Sequence, residues 1–176
     1  MTYIENVFIC ISVPLLLSLL FVKGALRRYT LFLCIGMGIC MVSAYVNSFF
    51  MELYQVDGVT AAIEISPVCE EILKLVPLLF FILIFEPKPK EITPAAISIA
   101  VGFATFENVC YLSENGAGNF TFLLIRGLSA GAIHILCGIA VGYGIAYVFR
   151  QRWLAVTGTV GILGACIQGH QWRRNP

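Results

Sequence analysis

Ser66-Pro67-Val68-Cys69-Glu70-Glu71-Ile72-Leu73-Lys74-Leu75-Val76-Pro77-Leu78-Leu79-Phe80-Phe81-Ile82-Leu83-Ile84-Phe85 is the stretch whose reading decides the fold. After Lys74 it is apolar to its end, and with Ala61–Ile65 ahead of it the run is long enough to cross a hydrocarbon core of about 30 Å. Two carboxylates, Glu70 and Glu71, and the Lys74 ammonium nevertheless sit well inside it, with Glu64 marking its outer end. An ionisable group at the centre of a bilayer costs roughly 2.5–3.5 kcal/mol on insertion scales, so several in one apolar run mark a working site or a paired ion network. Two more polar positions interrupt apolar segments in the same way: Glu107-Asn108 and His134.

Outward from that stretch, composition supports a membrane protein. Of the 176 residues 59% are hydrophobic and only 12% charged, about half the charged fraction of a soluble domain. Mean hydropathy is +0.89. A net charge of +1 without a concentrated basic patch excludes a nucleic-acid partner. Seven cysteines, scattered without a C-x-x-C spacing, read as small apolar fillers and not as a disulfide framework.

Apolar spans bounded by charge predict an all-α, polytopic helical bundle of about six transmembrane helices, near 3–22, 29–51, 61–85, 92–112, 127–149 and 153–168. Short loops and the absence of repeats predict one domain over 1–176, with its motif-bearing core at about 61–169. Lys23, Arg27, Arg28, Lys88, Lys90, Arg150 and Arg152 all fall on one side, which the positive-inside rule assigns to the cytoplasm, so the amino terminus is expected outside. The first span has its positive charges behind it and reads as a reverse-oriented anchor, not a cleaved leader. Glycines in the fifth and sixth spans, with Gly138-x-x-x-Gly142 among them, predict close helix packing in the bundle interior.

Depth joins the polar positions. Glu70, Glu107 and His134 each stand 15 residues from the end of their span beside a cytoplasmic loop, at Phe85, Ile92 and Phe149. At 1.5 Å rise per residue that is roughly 22 Å, one layer in the outward half of the membrane. Gln168, 15 residues from Trp153, falls at the same depth. A carboxylate in a low-dielectric cavity suits a general base acting on water. Lys74 lies at i+4 from Glu70 and i+3 from Glu71, so it can reach either. Pro67 and Pro77 bracket the cluster and free backbone carbonyls that a water-filled pocket would satisfy. A structural reading competes: the Glu70, Glu71 and Lys74 charges neutralising one another, Glu107-Asn108 as interhelical hydrogen-bond glue, and Arg126 as an interfacial anchor with pairing to Glu107 or Glu114 secondary.

These residues resemble the PrsW family of intramembrane proteases. Glu70-Glu71-x-x-Lys74 is similar to its E-E-x-x-K motif, and Gly102-Phe103-Ala104-Thr105-Phe106-Glu107-Asn108-Val109-Cys110-Tyr111-Leu112 to its G-F-A-x-x-E-N-x-x-Y-L motif. Arg126, followed eight residues later by His134, is similar to its third motif. The resemblance implies an endopeptidase of a bacterial plasma membrane, related to the CAAX prenyl endopeptidases. Its substrate would be a membrane-anchored, anti-sigma-factor-like protein cut near the outer face. It also implies Glu70 as the base that activates water, Glu71 and Glu107 as supporting or alternative acids, and His134 and Asn108 as groups that polarise the carbonyl or hold the oxyanion. Lys74, Arg126 and Gln168 would support them. The chain departs from the family's last motif, reading Cys166-Ile167-Gln168-Gly169-His170-Gln171-Trp172 where a His followed by Asn or Asp is usual. No cofactor is expected. The alternative is a divalent metal such as zinc, with Cys110 and Cys137 each three residues past a site residue, but no H-E-x-x-H pattern supports it. Two other functions compete: an inactive binding or immunity protein on the same fold, and an ion-coupled transporter. The apolar inner halves at Leu75–Phe85 and Ile139–Phe149 offer no relay and argue against the transporter.

Overall fold

The computed structural model describes the backbone of residues 4–115 and 120–172, and the side chains of residues 4–113 and 120–151. Its elements are α1 (Ile4–Ser18), α2 (Gly24–Tyr54), a short α3 (Gly58–Thr60), a π-helical turn (Ala61–Ile65), α4 (Ser66–Phe85), α5 (Pro89–Asn115) and α6 (Phe120–Trp172). No strand occurs among the described residues. The described chain is all-α, as its apolar spans predict.

The number of spans differs from the six expected. Among the described residues three helices are long and apolar enough to cross a membrane: Gly24–Tyr54, Pro89–Ser113 and Phe120–Gln151. α1 has 15 residues, because the chain tightens into turns at Leu19–Phe21 and leaves the helix before Gly24, whose φ of +67° only glycine adopts freely. α4 has 20 residues, but Glu70, Glu71 and Lys74 take it out of the wholly apolar class. The fifth and sixth spans are one helix, for α6 runs on through Arg150, Gln151 and Arg152 where a loop was expected. Charge ends a membrane span, but these three residues are good helix formers and give the backbone no reason to stop. Gln168 lies within α6, and its side chain falls outside the described residues.

α5 is the centre of the bundle. Ile92, Ala95, Ala96, Ile99, Ala100, Phe103, Ala104 and Phe106 are all buried on it. α2 and α5 lie side by side in the same direction, since Arg28 meets Glu91 near their starts and Gly36 meets Ile99 further on. They touch backbone to backbone: a Cβ at Gly36 would run into the Ile99 carbonyl, and one at Gly102 into the Leu33 carbonyl. α6 packs on α5 in the opposite sense. Gly138 and Gly142 seat it there, each so close that an added Cβ would stand 2.8 Å from Ala100 Cβ or Thr93 Cα respectively. Gly131 and Gly144 face open space, so the described part of α6 flanks the bundle and is not its interior.

The core has two parts. One, at the Arg28–Glu91 end, joins Phe32, Leu78, Phe81, Ile82, Ile92 and Ile99. The other joins Met37, Cys40, Phe103 and Phe106 and takes Ile4, Phe8, Ile11 and Leu15 of α1 onto its edge. Phe8 meets Phe106 edge-on at 5.3 Å. Phe103 closes this second cluster from below and also forms the apolar floor on which the polar site rests.

Candidate active site

α4 enters the site through a defect that its own sequence creates. Pro67 has no N–H to give to the preceding turn, and its ring presses on the carbonyl four residues earlier. The helix widens just ahead of it into the π turn, where the Ser66 N–H reaches back to the Ala61 carbonyl. Upstream, Asp57 caps the start of this rod by accepting from the Val59 and Thr60 amides at 3.2 and 3.4 Å. The Thr60 hydroxyl, also bonded to it, holds the Asp57 carboxyl below its ordinary range. Beyond the wide turn, Glu70, Glu71 and Lys74 follow within two helical turns.

Lys74 is the hub. Only 7% exposed, its Nζ lies 2.6 Å from Glu71 Oε1, 2.7 Å from His134 Nδ1 and 4.3 Å from the centroid of the Phe103 ring. An ammonium has three donors and no acceptor, so the contact with His134 is a donation to Nδ1. The ring hydrogen of His134 is therefore on Nε2, which donates to Glu107 Oε2 at 2.9 Å and lies 4.0 Å from Glu70 Oε2. Phe103 supports the imidazole edge-on at 5.0 Å. Arg126 closes the far side: it donates to Glu107 Oε1 at 3.2 Å and to Asn108 Oδ1 at 2.8 Å, and its guanidinium lies 3.8 Å over the Tyr111 ring.

The structure thus brings Glu70, Glu71, Lys74, Glu107, Asn108, Arg126 and His134 into one connected cluster across α4, α5 and α6. Arg126 is bound into it and is not the free interfacial anchor that the competing reading makes of it. Three carboxylates face Lys74 and Arg126, so with His134 neutral the cluster carries one net negative charge and becomes neutral once a carboxylate takes up a proton. Apolar surroundings favour that balance.

The carboxylates are not equivalent. Glu71 is held by Lys74, and Glu107 by both His134 and Arg126. Among the described residues Glu70, 16% exposed, makes only the 4.0 Å approach to His134. It lines a cavity of about 370 Å³ together with Glu107, Phe103 and Cys110 on one side and Cys40, Ser43 and Asn47 of α2 on the other. That volume has room for roughly ten waters. Ile4 and Glu5 of α1 stand at its rim, where the Tyr45 hydroxyl donates to Glu5 Oε1 at 2.8 Å. Asn108 is not on the cavity wall, its carboxamide oxygen being taken by Arg126.

A carboxylate beside a cavity large enough for water, a histidine fixed in one tautomer and a cation network behind both are the parts of a general acid–base site. A metal is less well served. With Lys74 on Nδ1 and the hydrogen on Nε2, His134 has no lone pair for a cation. Among the described residues no three His, Cys, Asp or Glu side chains are grouped to hold one. Cys110 shares the cavity with Cys40, and Cys137 is not on its wall. The donor set in this arrangement does not fit a metal.

The α2 wall was not foreseen. Asn47 interrupts an apolar helix, but without a charged neighbour such as Asn108 has in Glu107 it gives no comparable signal.

Comparison with known proteins gives one match. The model of a family described as PrsW family intramembrane metalloprotease matches residues 24–169, from the first residue of α2 into the last part of α6. No curated protein and no solved structure matches the chain.

Proposed function

The chain belongs to the PrsW family of intramembrane proteases, and on that premise we propose that it is a glutamate-dependent endopeptidase that cuts a membrane-anchored protein near the outer face of a bacterial plasma membrane. The observation that carries the reading is the inequality of the three carboxylates. Two are held by cations, and Glu70 is left facing the cavity with no hydrogen bond among the described residues.

Glu70 takes a proton from a cavity water as the water oxygen attacks the scissile carbonyl carbon. The carbonyl π pair moves onto its oxygen, and the Nε2–H of His134, which donates to Glu107 at 2.9 Å, is shared with that oxygen and stabilises its charge. On collapse the C–N bond breaks and Glu70 returns its proton to the leaving amine. The products are a carboxylic acid and an amine, and the site is restored. Glu107 orients His134, Lys74 fixes its tautomer, and Arg126 with Asn108 positions Glu107. Glu71 anchors Lys74. We leave Gln168 in a supporting role. The metal named in the family's description enters none of these steps, because the donors of this chain do not fit one.

The positive charges at the starts of α2 and α5 support a cytoplasmic location for that end, with the amino terminus outside and the site in the outward half. Anti-sigma-factor-like proteins, with one membrane span and an extracytoplasmic domain, are the substrate class proposed.

The test is cleavage of a single-pass reporter with an extracytoplasmic domain, co-expressed with the wild-type chain or with Glu70→Gln and followed by immunoblot. Loss of full-length reporter with wild type and its persistence with Glu70→Gln is the expected result. Equal cleavage by both removes Glu70 as the base. No cleavage by a folded wild-type chain across several reporters moves the protein to the class of inactive binders.

A further inference from the structure

The α2 wall of the cavity carries a polar group that the hydrolytic machinery does not use. Cys40, Ser43, Ala44, Asn47 and Ser48 form one helical face turned toward Glu70 and Glu107. The hydroxyls on it are spent within their own helix, Ser43 on the Cys40 carbonyl at 2.8 Å and Ser48 on the Ala44 carbonyl at 2.9 Å. The Asn47 carboxamide is different. Its Oδ1 is buried with no hydrogen-bond partner, and the side chain makes no bond to any described residue.

An unpartnered buried amide is costly, and it persists where a visiting group completes it. The chemistry of the visitor follows from the site opposite. A peptide bond can reach Glu70 only if the substrate segment leaves its helical form, and each N–H and C=O so released inside a membrane must find a partner. A carboxamide presents an acceptor and donors in one plane, the complement of a main-chain N–H and C=O. We propose that Asn47 is a substrate-positioning residue that hydrogen-bonds the main chain of the extended peptide lying across the cavity, irrespective of its side chains. This rests on the peptidase reading of the Glu70 site, which it deepens by assigning recognition to α2.

The test uses the full-length chain in detergent and a quenched-fluorescent single-span peptide. A matched series of that peptide has one main-chain amide at a time replaced by an ester, which deletes one N–H. For Asn47→Leu, close in shape to the native residue, KM is expected to rise about 10-fold with kcat within about twofold, the loss of one or two hydrogen bonds. One ester position should cost wild type a similar factor and cost Asn47→Leu nothing. The thermal midpoint of Asn47→Leu should equal or exceed that of wild type, since an unsatisfied group has been removed. A fall in midpoint, or an ester cost equal in both proteins, makes Asn47 structural and overturns the proposal. Anisotropy of a labelled peptide in a Glu70→Gln background reads the same affinity difference without turnover. Unchanged affinity for Asn47→Leu there defeats the proposal alone. Asn47-dependent binding with no cleavage by wild type defeats the peptidase reading and leaves peptide recognition standing.

Discussion

Replacing Lys74 by methionine, which keeps the length of the side chain and removes its charge, tests the centre of the site. Lys74 is 7% exposed and makes two charge-assisted hydrogen bonds of 2.6 and 2.7 Å. The bond to His134 joins α4 to α6, and such interhelical bonds average about 0.6 kcal/mol; with the bond to Glu71 inside α4, the two account for only about 1 kcal/mol. The larger effect is the Glu71 carboxylate left without its cation, for which removal of one partner of a buried pair costs about 3–5 kcal/mol. Glu71 is 37% exposed at its side chain, and water screens it, so the low end applies. About 3 kcal/mol is roughly a 150-fold shift in the folding equilibrium. The chemistry changes too. Without Lys74, Nδ1 is free to carry a hydrogen and donate to Glu71 Oε1, now 3.5 Å away. Because Nε2 keeps its own hydrogen on Glu107, the ring is then a cation paired with both carboxylates and is no longer the neutral donor proposed for the oxyanion. Lys74→Met should therefore lower both the unfolding midpoint in detergent and reporter cleavage, the latter by at least about 100-fold. Adding Glu71→Leu removes the orphaned charge and should restore most of the midpoint without restoring cleavage. A Lys74→Met protein as stable and as active as wild type would show that Lys74 neither pairs with Glu71 nor sets the histidine tautomer, and the reasoning would fail.

Two further outcomes follow from the packing. Gly102→Ala forces the Leu33 carbonyl away and should destabilise the α2–α5 contact by about 1–3 kcal/mol, whereas Gly131→Ala and Gly144→Ala meet open space and should be neutral or gain up to about 1 kcal/mol; unfolding midpoints of the three variants separate the cases. Arg126→Lys keeps the charge but cannot bridge Glu107 and Asn108 while stacking on Tyr111, so cleavage should fall about 10-fold or more; wild-type cleavage by Arg126→Lys would reduce Arg126 to a point charge.

What the sequence made legible follows from the cost of burial. Glu70, Glu71, Lys74, Glu107 and His134 stand out because ionisable groups in apolar helices are expensive, and equal residue counts from the span ends give Glu70, Glu107 and His134 one depth. The bundle was less legible for the same reason turned round. Using charge as the end of a span divides α6 at Arg150, although an Arg-Gln-Arg sequence continues a helix. It also counts α4 as an ordinary span, although its charges are what distinguish it. Where Arg126 points was not decided by its spacing from His134 alone. That depends on how α6 lies against α5, and so on Gly138 and Gly142 reaching Ala100 and Thr93.

The α2 side of the cavity shows a different limit. Asn47 is uncharged, stands alone and belongs to no recognised motif, so neither insertion cost nor family resemblance points to it. Its significance appears only when α2 and α5 are in contact, which needs Gly36 and Gly102 together. Neither glycine marks a site by itself. The close approach that they permit sets the α2 face bearing Asn47 across from the α5 face bearing Phe103, Glu107 and Cys110, with the cavity between the two helices. A residue at Gly36 or Gly102 with a Cβ would therefore alter the spacing between the carboxylates and the carboxamide as well as the stability of the bundle. On this geometry the G-F-A sequence at Gly102-Phe103-Ala104 has a mechanical role besides its place in a motif: Gly102 brings α2 up to α5, and Phe103 carries Lys74 and His134.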